Sequence, residues 1–162
     1  MREFKISSGG VTVAGATTLI FVNPAAAVNP NLQFLRFWVG QSANATSAQQ
    51  RIQIETQVTA FPTLTSATPT KVRETDANAS VITGGTAGAA GTAGTNASAE
   101  GAGAKTAVHD DAFNVLNGFL FVPTPPETIV KAAGSSSGLG LFFPVAPATL
   151  TNWAFGLAFA EI

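Results

Sequence analysis

The single histidine of the chain sits in His109-Asp110-Asp111. An imidazole beside two carboxylates has the makings of a general base or a metal ligand. Successive strand residues face opposite ways, so His109 and Asp110 diverge and Asp111 shares the face of His109. No second histidine and no cysteine exists to complete a common zinc site, and the cluster is read as a solvated or turn cluster. "GAGAKT" at 101–106 looks towards a phosphate-binding loop, but that motif needs glycine immediately before its lysine, and Ala104 stands there. The serines of "SSSG" at 135–138 have neither the nucleophile-elbow pattern nor a base close in sequence, so they are read as a turn. Asn44, Asn78 and Asn96 each open an Asn-x-Ser/Thr sequon, which matters only in a secretory pathway. The start "MREFKISSGG" lacks an apolar h-region, so no conventional signal peptide is expected. Trp38 beside Gln41 is a possible sugar-stacking pair. These residues lead to the expectation of no enzyme, no cofactor and no bound metal.

Composition limits the partners. Only 10% of residues are charged, and eight basic residues nearly balance nine acidic ones. Nucleic-acid binding needs clustered Lys and Arg, and none is present, so no nucleic-acid partner is expected. No run approaches 18 apolar residues, so no spanning helix and no membrane partner is expected. A surface with so little charge repels its neighbours weakly and suits a protein packed against others.

The elements that must position these residues read as strands. In "RIQIETQVT" Ile52, Ile54 and Val58 share one face, while Arg51, Gln53, Glu55 and Gln57 share a wet one. In "NWAFGLAFAEI" Trp153, Phe155, Leu157 and Phe159 share a core face. Ala154, Gly156, Ala158 and Ala160 share a small face that another backbone or a second subunit can approach closely. Further strands are expected at 4–6, 11–14, 17–22, 32–41, 113–122, 127–132 and 139–144. Turn signals such as "SSGG", "NPAAAVNP" and "TPPE" separate them. "ETDANAS" at 74–80 has the makings of one helical turn; helix is otherwise not expected. The whole predicts an all-β fold, a β-sandwich of jelly-roll type with little or no helix.

Between these strands lies "GGTAGAAGTAGTNASAEGAGA" at 84–104, with glycine at every third position from Gly85 through Gly88 and Gly91 to Gly94. Three triplets without proline are too few for a collagen-type helix. The strands after it are too few to close a core alone. The expectation is therefore a single domain over 1–162 with a long Gly/Ala-rich loop at about 84–104.

The order of segments is familiar. "SSGGVTVAGATTLIFVNP" leads into "LRFWVGQSANATSAQQRIQIETQV", and a turn "TPTKVRETD" follows the long alternating strand. The chain ends on "ETIVKAAG", "LGLFFPVAPA" and "FGLAFAEI", with Glu161 as the closing acidic residue. This pattern resembles small virion structural proteins of tailed bacteriophages, of the capsid decoration (cement) type. The resemblance covers nearly the whole chain and departs from the pattern at 84–104. It implies a jelly-roll-like sandwich that assembles as a homo-trimer on the major capsid protein. The location it implies is the outer surface of the virion, after synthesis in the bacterial cytoplasm. Termini and long loops can order on a partner, so Arg2, Phe4, Ile6, Gly85, Gly88, Gly91 and Gly94 are the expected capsid or subunit contacts. The alternatives are another virion role, as capsid, fibre or self-stacking filament subunit, and a carbohydrate-binding sandwich.

Overall fold

The computed structural model describes residues 1–24, 30–43 and 46–162. The sequon asparagine Asn44 and most of the "NPAAAVNP" turn lie outside the described residues. Among the described residues thirteen strands follow in order: β1 (Arg2–Val11), β2 (Thr17–Val22), β3 (Leu32–Gln41), β4 (Gln49–Val58), β5 (Thr63–Ser66), β6 (Thr70–Lys71) and β7 (Thr83–Gly84). Then come β8 (Thr92–Ala99), β9 (Ala104–Asn114), β10 (Phe119–Phe121), β11 (Ile129–Lys131), β12 (Ser137–Phe143) and β13 (Trp153–Glu161). One 3-10 turn, Pro125–Glu127, interrupts them. Among the described residues no helix is long and apolar enough to cross a membrane.

The strands form two antiparallel sheets packed face to face. The first runs β10-β3-β13-β1-β6, with β11 also on β3; the second runs β5-β8-β2-β12-β4-β9, with β7 on β8. Apart from the segment between β4 and β9, the chain pairs as one long hairpin. β1 pairs β13, β2 pairs β12, β3 pairs β10 and β11, and β4 pairs β9. Rolled into two sheets, that nesting is the double Greek key of a jelly roll.

Alternation explains which face goes inside. Trp153, Phe155, Leu157 and Phe159 of β13 are fully buried, and Phe4, Ile6, Phe34, Phe37 and Val39 join them from the same sheet. The second sheet contributes Leu19, Ile20, Val22, Ile52, Ile54, Leu139, Leu141 and Phe143 to the same apolar cluster.

Several expectations change. Residues 12–14 fall outside β1. The segment 113–122 is two strands in different sheets, because Asn114 and Gly118 turn the chain between them. Asn114 Oδ1 accepts from the Leu116 N–H at 3.0 Å, and Gly118 has φ 71°. Residues 74–80 make bends and a turn, not a helix. The expected loop at 84–104 contains β8, which pairs β2 on one side and β5 on the other. The small face of β13 is not open to a second subunit at Gly156. Trp38, directly across the ladder, lays its indole there, and Ala158 and Ala160 are also buried.

The face of β4 expected to be wet is buried at one end. Glu55 and Gln57 point away from the main core, yet both are almost fully buried, while Val58 is exposed. The carbonyls of Ala60 and Glu100 accept from Gln57 Nε2 at this end. Phe61 packs against a second, smaller buried cluster of Phe21, Leu64 and Ala97. Phe21 fits there because Gly138 and Gly140 of β12 leave room under its ring.

Candidate interaction site

The structure gives the expected contact residues internal roles. Phe4 and Ile6 face the core, with Phe4 5.8 Å from Phe159 ring to ring, and so are not free to meet a partner. Arg2 Nη2 lies 2.6 Å from Oε2 of the buried Glu161, and its Nη1 donates to the Ala79 carbonyl at 3.3 Å. Glu161 Oε1 also accepts from Ser80 Oγ (2.7 Å) and the Val81 N–H (2.8 Å). The two chain ends thus anchor residues 79–81. A Cβ on Gly85 would come within 2.6 Å of Thr92 Cβ, and one on Gly94 within 2.6 Å of Leu64 Cβ. Gly88 packs against Phe61, and Gly91 is buried with φ 78°. The glycine period serves close approach inside the chain.

The His109 cluster divides as its strand position requires. Asp111 shares the histidine's face, 3.7 Å from Oδ2 to Nε2. The imidazole packs on Phe121 at 4.4 Å between ring centres. Asp110 faces the other way and accepts from Arg51 Nε (2.9 Å), Arg51 Nη2 and Gln53 Nε2 (2.9 Å). The Arg51 hydrogen bonds, helped by Gln53, hold the Asp110 carboxyl down at about 2. Arg51→Gln is expected to move the Asp110 titration midpoint, followed by NMR, up towards the ordinary carboxylate range. A midpoint that stays at about 2 would show that Arg51 is not its cause. Among the described residues no group of three or more His, Asp or Glu is placed to hold a metal.

One arrangement escaped the sequence. Lys131 Nζ donates to Ser137 Oγ at 2.7 Å, and Ser135 Oγ lies 3.0 Å from Ser137 Oγ. Burial pushes the Lys131 ammonium below its ordinary pKa. The spacing is that of a Ser–Lys pair, formed across the connection from β11 in the first sheet to β12 in the second, six residues apart in sequence. None of the clefts described next is lined by these three residues, and the group ties that connection together.

The surface with the most exposed apolar side chains is the edge formed by β9, β10 and β11. Leu120 is 67% exposed and Val122 58%, with Leu116, Val108 and Val130 also open to solvent. Three clefts lie along this edge. One of about 460 Å³ runs between Trp38, Gln41, Asn117, Leu120 and Ala154. A second, about 340 Å³, lies between Gln33, Leu35, Val122, Pro123 and Pro125. A third, about 290 Å³, is lined by Val108, His109, Phe121, Glu127 and Ile129. Backbone pairing to a partner is limited along β10 and β11, which are three residues each with three prolines between them, while β9, among the described residues, keeps a free side along its eleven residues. The ladder of β9 shifts register next to Val108. A partner at β10 and β11 would therefore meet side chains. At the opposite edge β5 and β8 extend the second sheet and β6 covers β1 in the first.

Trp38 and Gln41 do line one cleft, but the indole lies over Gly156 and Arg36 sits 5.4 Å from its ring centre. Gln41 Nε2 is already hydrogen-bonded to the Thr151 carbonyl at 3.1 Å. No protein-family model, no curated protein and no solved structure matches this chain.

Proposed function

We propose that this chain is a bacteriophage capsid decoration protein, which binds the assembled shell and stabilises it. The observation that carries the reading is the asymmetry of the jelly roll. One edge is extended by the chain's own insertion, while the other presents exposed apolar side chains, Leu116, Leu120, Val122, Val108 and Val130. Such an edge suits side-chain docking on a large protein surface. The resemblance of the order of sequence segments, and of the closing segments, to virion proteins supports the same reading.

The partner is then the major capsid protein, the working unit a homo-trimer, and the place the outer capsid surface. The mechanism is thermodynamic. A protein that binds only the assembled shell stabilises it by mass action. Three linked copies raise the effective concentration of the second and third contacts, so each can be modest. The test is electron microscopy of purified particles with and without the protein, followed by heating at low ionic strength. The expected result is density on the outer surface and earlier disruption of shells that lack it. Absence from the particle would overturn the assignment. Equal survival of the two kinds of shell would overturn the stabilising mechanism.

The cleft at Trp38 favours a second reading, a carbohydrate-binding sandwich. Binding of simple sugars that quenches Trp38 fluorescence, in a protein missing from particles, would replace the first reading with this one.

A further inference from the structure

We propose that residues 59–62 and 100–103, between β4 and β5 and between β8 and β9, form a latched flap, which opens over the outer face of the second sheet while the two-sheet core stays folded.

The flap covers an apolar cluster separate from the main core, in which Phe21 and Phe61 lie 5.6 Å apart between ring centres. Its two segments touch through backbone. The Gly103 N–H donates to the Ala60 carbonyl at 3.1 Å, and a Cβ on Gly101 would meet the carbonyls of Ala60 and Phe61. Its hold on the sheet is polar. The buried Gln57 donates from Nε2 to the carbonyls of Ala60 (3.0 Å) and Glu100 (3.2 Å). Glu100 takes the Thr18 N–H on Oε1 and the Thr18 hydroxyl on Oε2, each at 2.6 Å. Lys105 Nζ bridges Glu100 Oε2 (2.7 Å) and Glu55 Oε1 (2.8 Å), and lies 3.7 Å over the Phe142 ring.

The flap is also strained. Thr59 and Ala60 are consecutive non-glycine residues with φ of 54° and 35°. Left-handed backbone is costly for any residue with a Cβ, most of all a β-branched one, and it persists only where surrounding contacts impose it. The strain favours opening, and the contacts of Glu100 with Thr18 and Lys105 oppose it.

The charged groups facing the latch are Glu55 from β4, Lys105 from β9 and Glu100 from the flap. β2 contributes Thr18, β12 contributes Phe142, and residues 59–62 carry no charge. Burial raises the Glu55 pKa against the pull of Lys105. For Glu100, burial also opposes ionisation, but the hydrogen bonds from Lys105 and Thr18 together outweigh it and lower its pKa. The signs therefore differ. On acidification Glu55 takes up its proton first, which favours the closed form. The contribution of Glu100 is complete above the ordinary carboxylate range and is lost as pH falls through its lowered folded-state pKa. Acidification through the lowered Glu100 pKa thus removes its part of the latch.

Hydrogen exchange by NMR on the full chain tests this, with the Thr18 and Gly103 amides as reporters and β3 and β13 as reference. In the native protein the reporters are expected to exchange by openings that leave the reference protected. Glu100→Gln should speed the reporters by at least about tenfold, the scale of a charged hydrogen bond, without changing β3 or β13. Thr59→Gly should slow the Gly103 amide several-fold, because glycine adopts that φ without strain. If reporters and reference change together, there is no separate flap. If Glu100→Gln leaves the reporters unchanged, the Glu100 contacts are not its latch.

Discussion

Truncating Trp153 to alanine is expected to lower the unfolding free energy by about 3–5 kcal/mol, the range for deleting a large buried aromatic. Its side chain is fully buried, 4.9 Å from Phe143 and 6.4 Å from Phe113 between ring centres, both edge-on. Its Nε1 donates to the Thr149 carbonyl at 2.8 Å, so truncation removes that partner as well as the packing. The cavity would open between the sheets, where β13 is held by β1 on one side and β3 on the other and has little freedom to collapse inward. A urea titration at constant m-value reads the loss. A loss below about 1 kcal/mol would mean that the site repacks, contrary to the close packing described.

The second large effect concerns the opposite face of the same strand. Gly156→Val is expected to cost about 3 kcal/mol, at the upper end for overpacking. A Cβ there would stand 2.6 Å from the Ile6 carbonyl and 2.6 Å from Trp38 Cε2. The indole can swing away, but the Ile6 carbonyl belongs to the β1–β13 ladder and cannot move without breaking it. Displacing the indole should also shift the Trp38 emission to the red. In the double variant with Trp38→Ala, part of the loss should be recovered and part should remain, the remainder measuring the backbone clash. Full recovery would assign the whole effect to the indole.

These two positions show what kind of information the pattern of β13 carries. Large and small residues alternate along it, and that alternation alone identifies the core face, because a strand buries every second side chain. It does not say what covers the small face. A glycine in a strand marks a close approach without naming the partner, and here the partner is Trp38 of the neighbouring strand.

The same limit applies to the candidate site. β8 escaped detection because strand patterns are read from large apolar residues, whereas Ala93, Gly94, Thr95 and Ala97 are small. They make a strand because β2 and β5 satisfy its backbone on both sides. Lys131 and Ser137 meet only through the β11–β12 connection, and Glu55, Glu100 and Lys105 meet only because the segment between β4 and β9 folds back across β4.

By itself the sequence determined an all-β sandwich, the strands β2, β3, β12 and β13 and the core face of β13, while β9, at eleven residues the longest described strand, went unassigned. The assigned features follow from local periodicity and turn chemistry, which act over a few residues. The jelly-roll order had been expected and is realised by pairings between residues far apart in the chain. The conversion of the Gly/Ala stretch into strand and flap, the burial of Glu55 and Gln57, and the internal placement of Phe4 and Ile6 were decided only by tertiary structure. Burial and charge pairing depend on which distant segment lies across a face, and no local pattern records that.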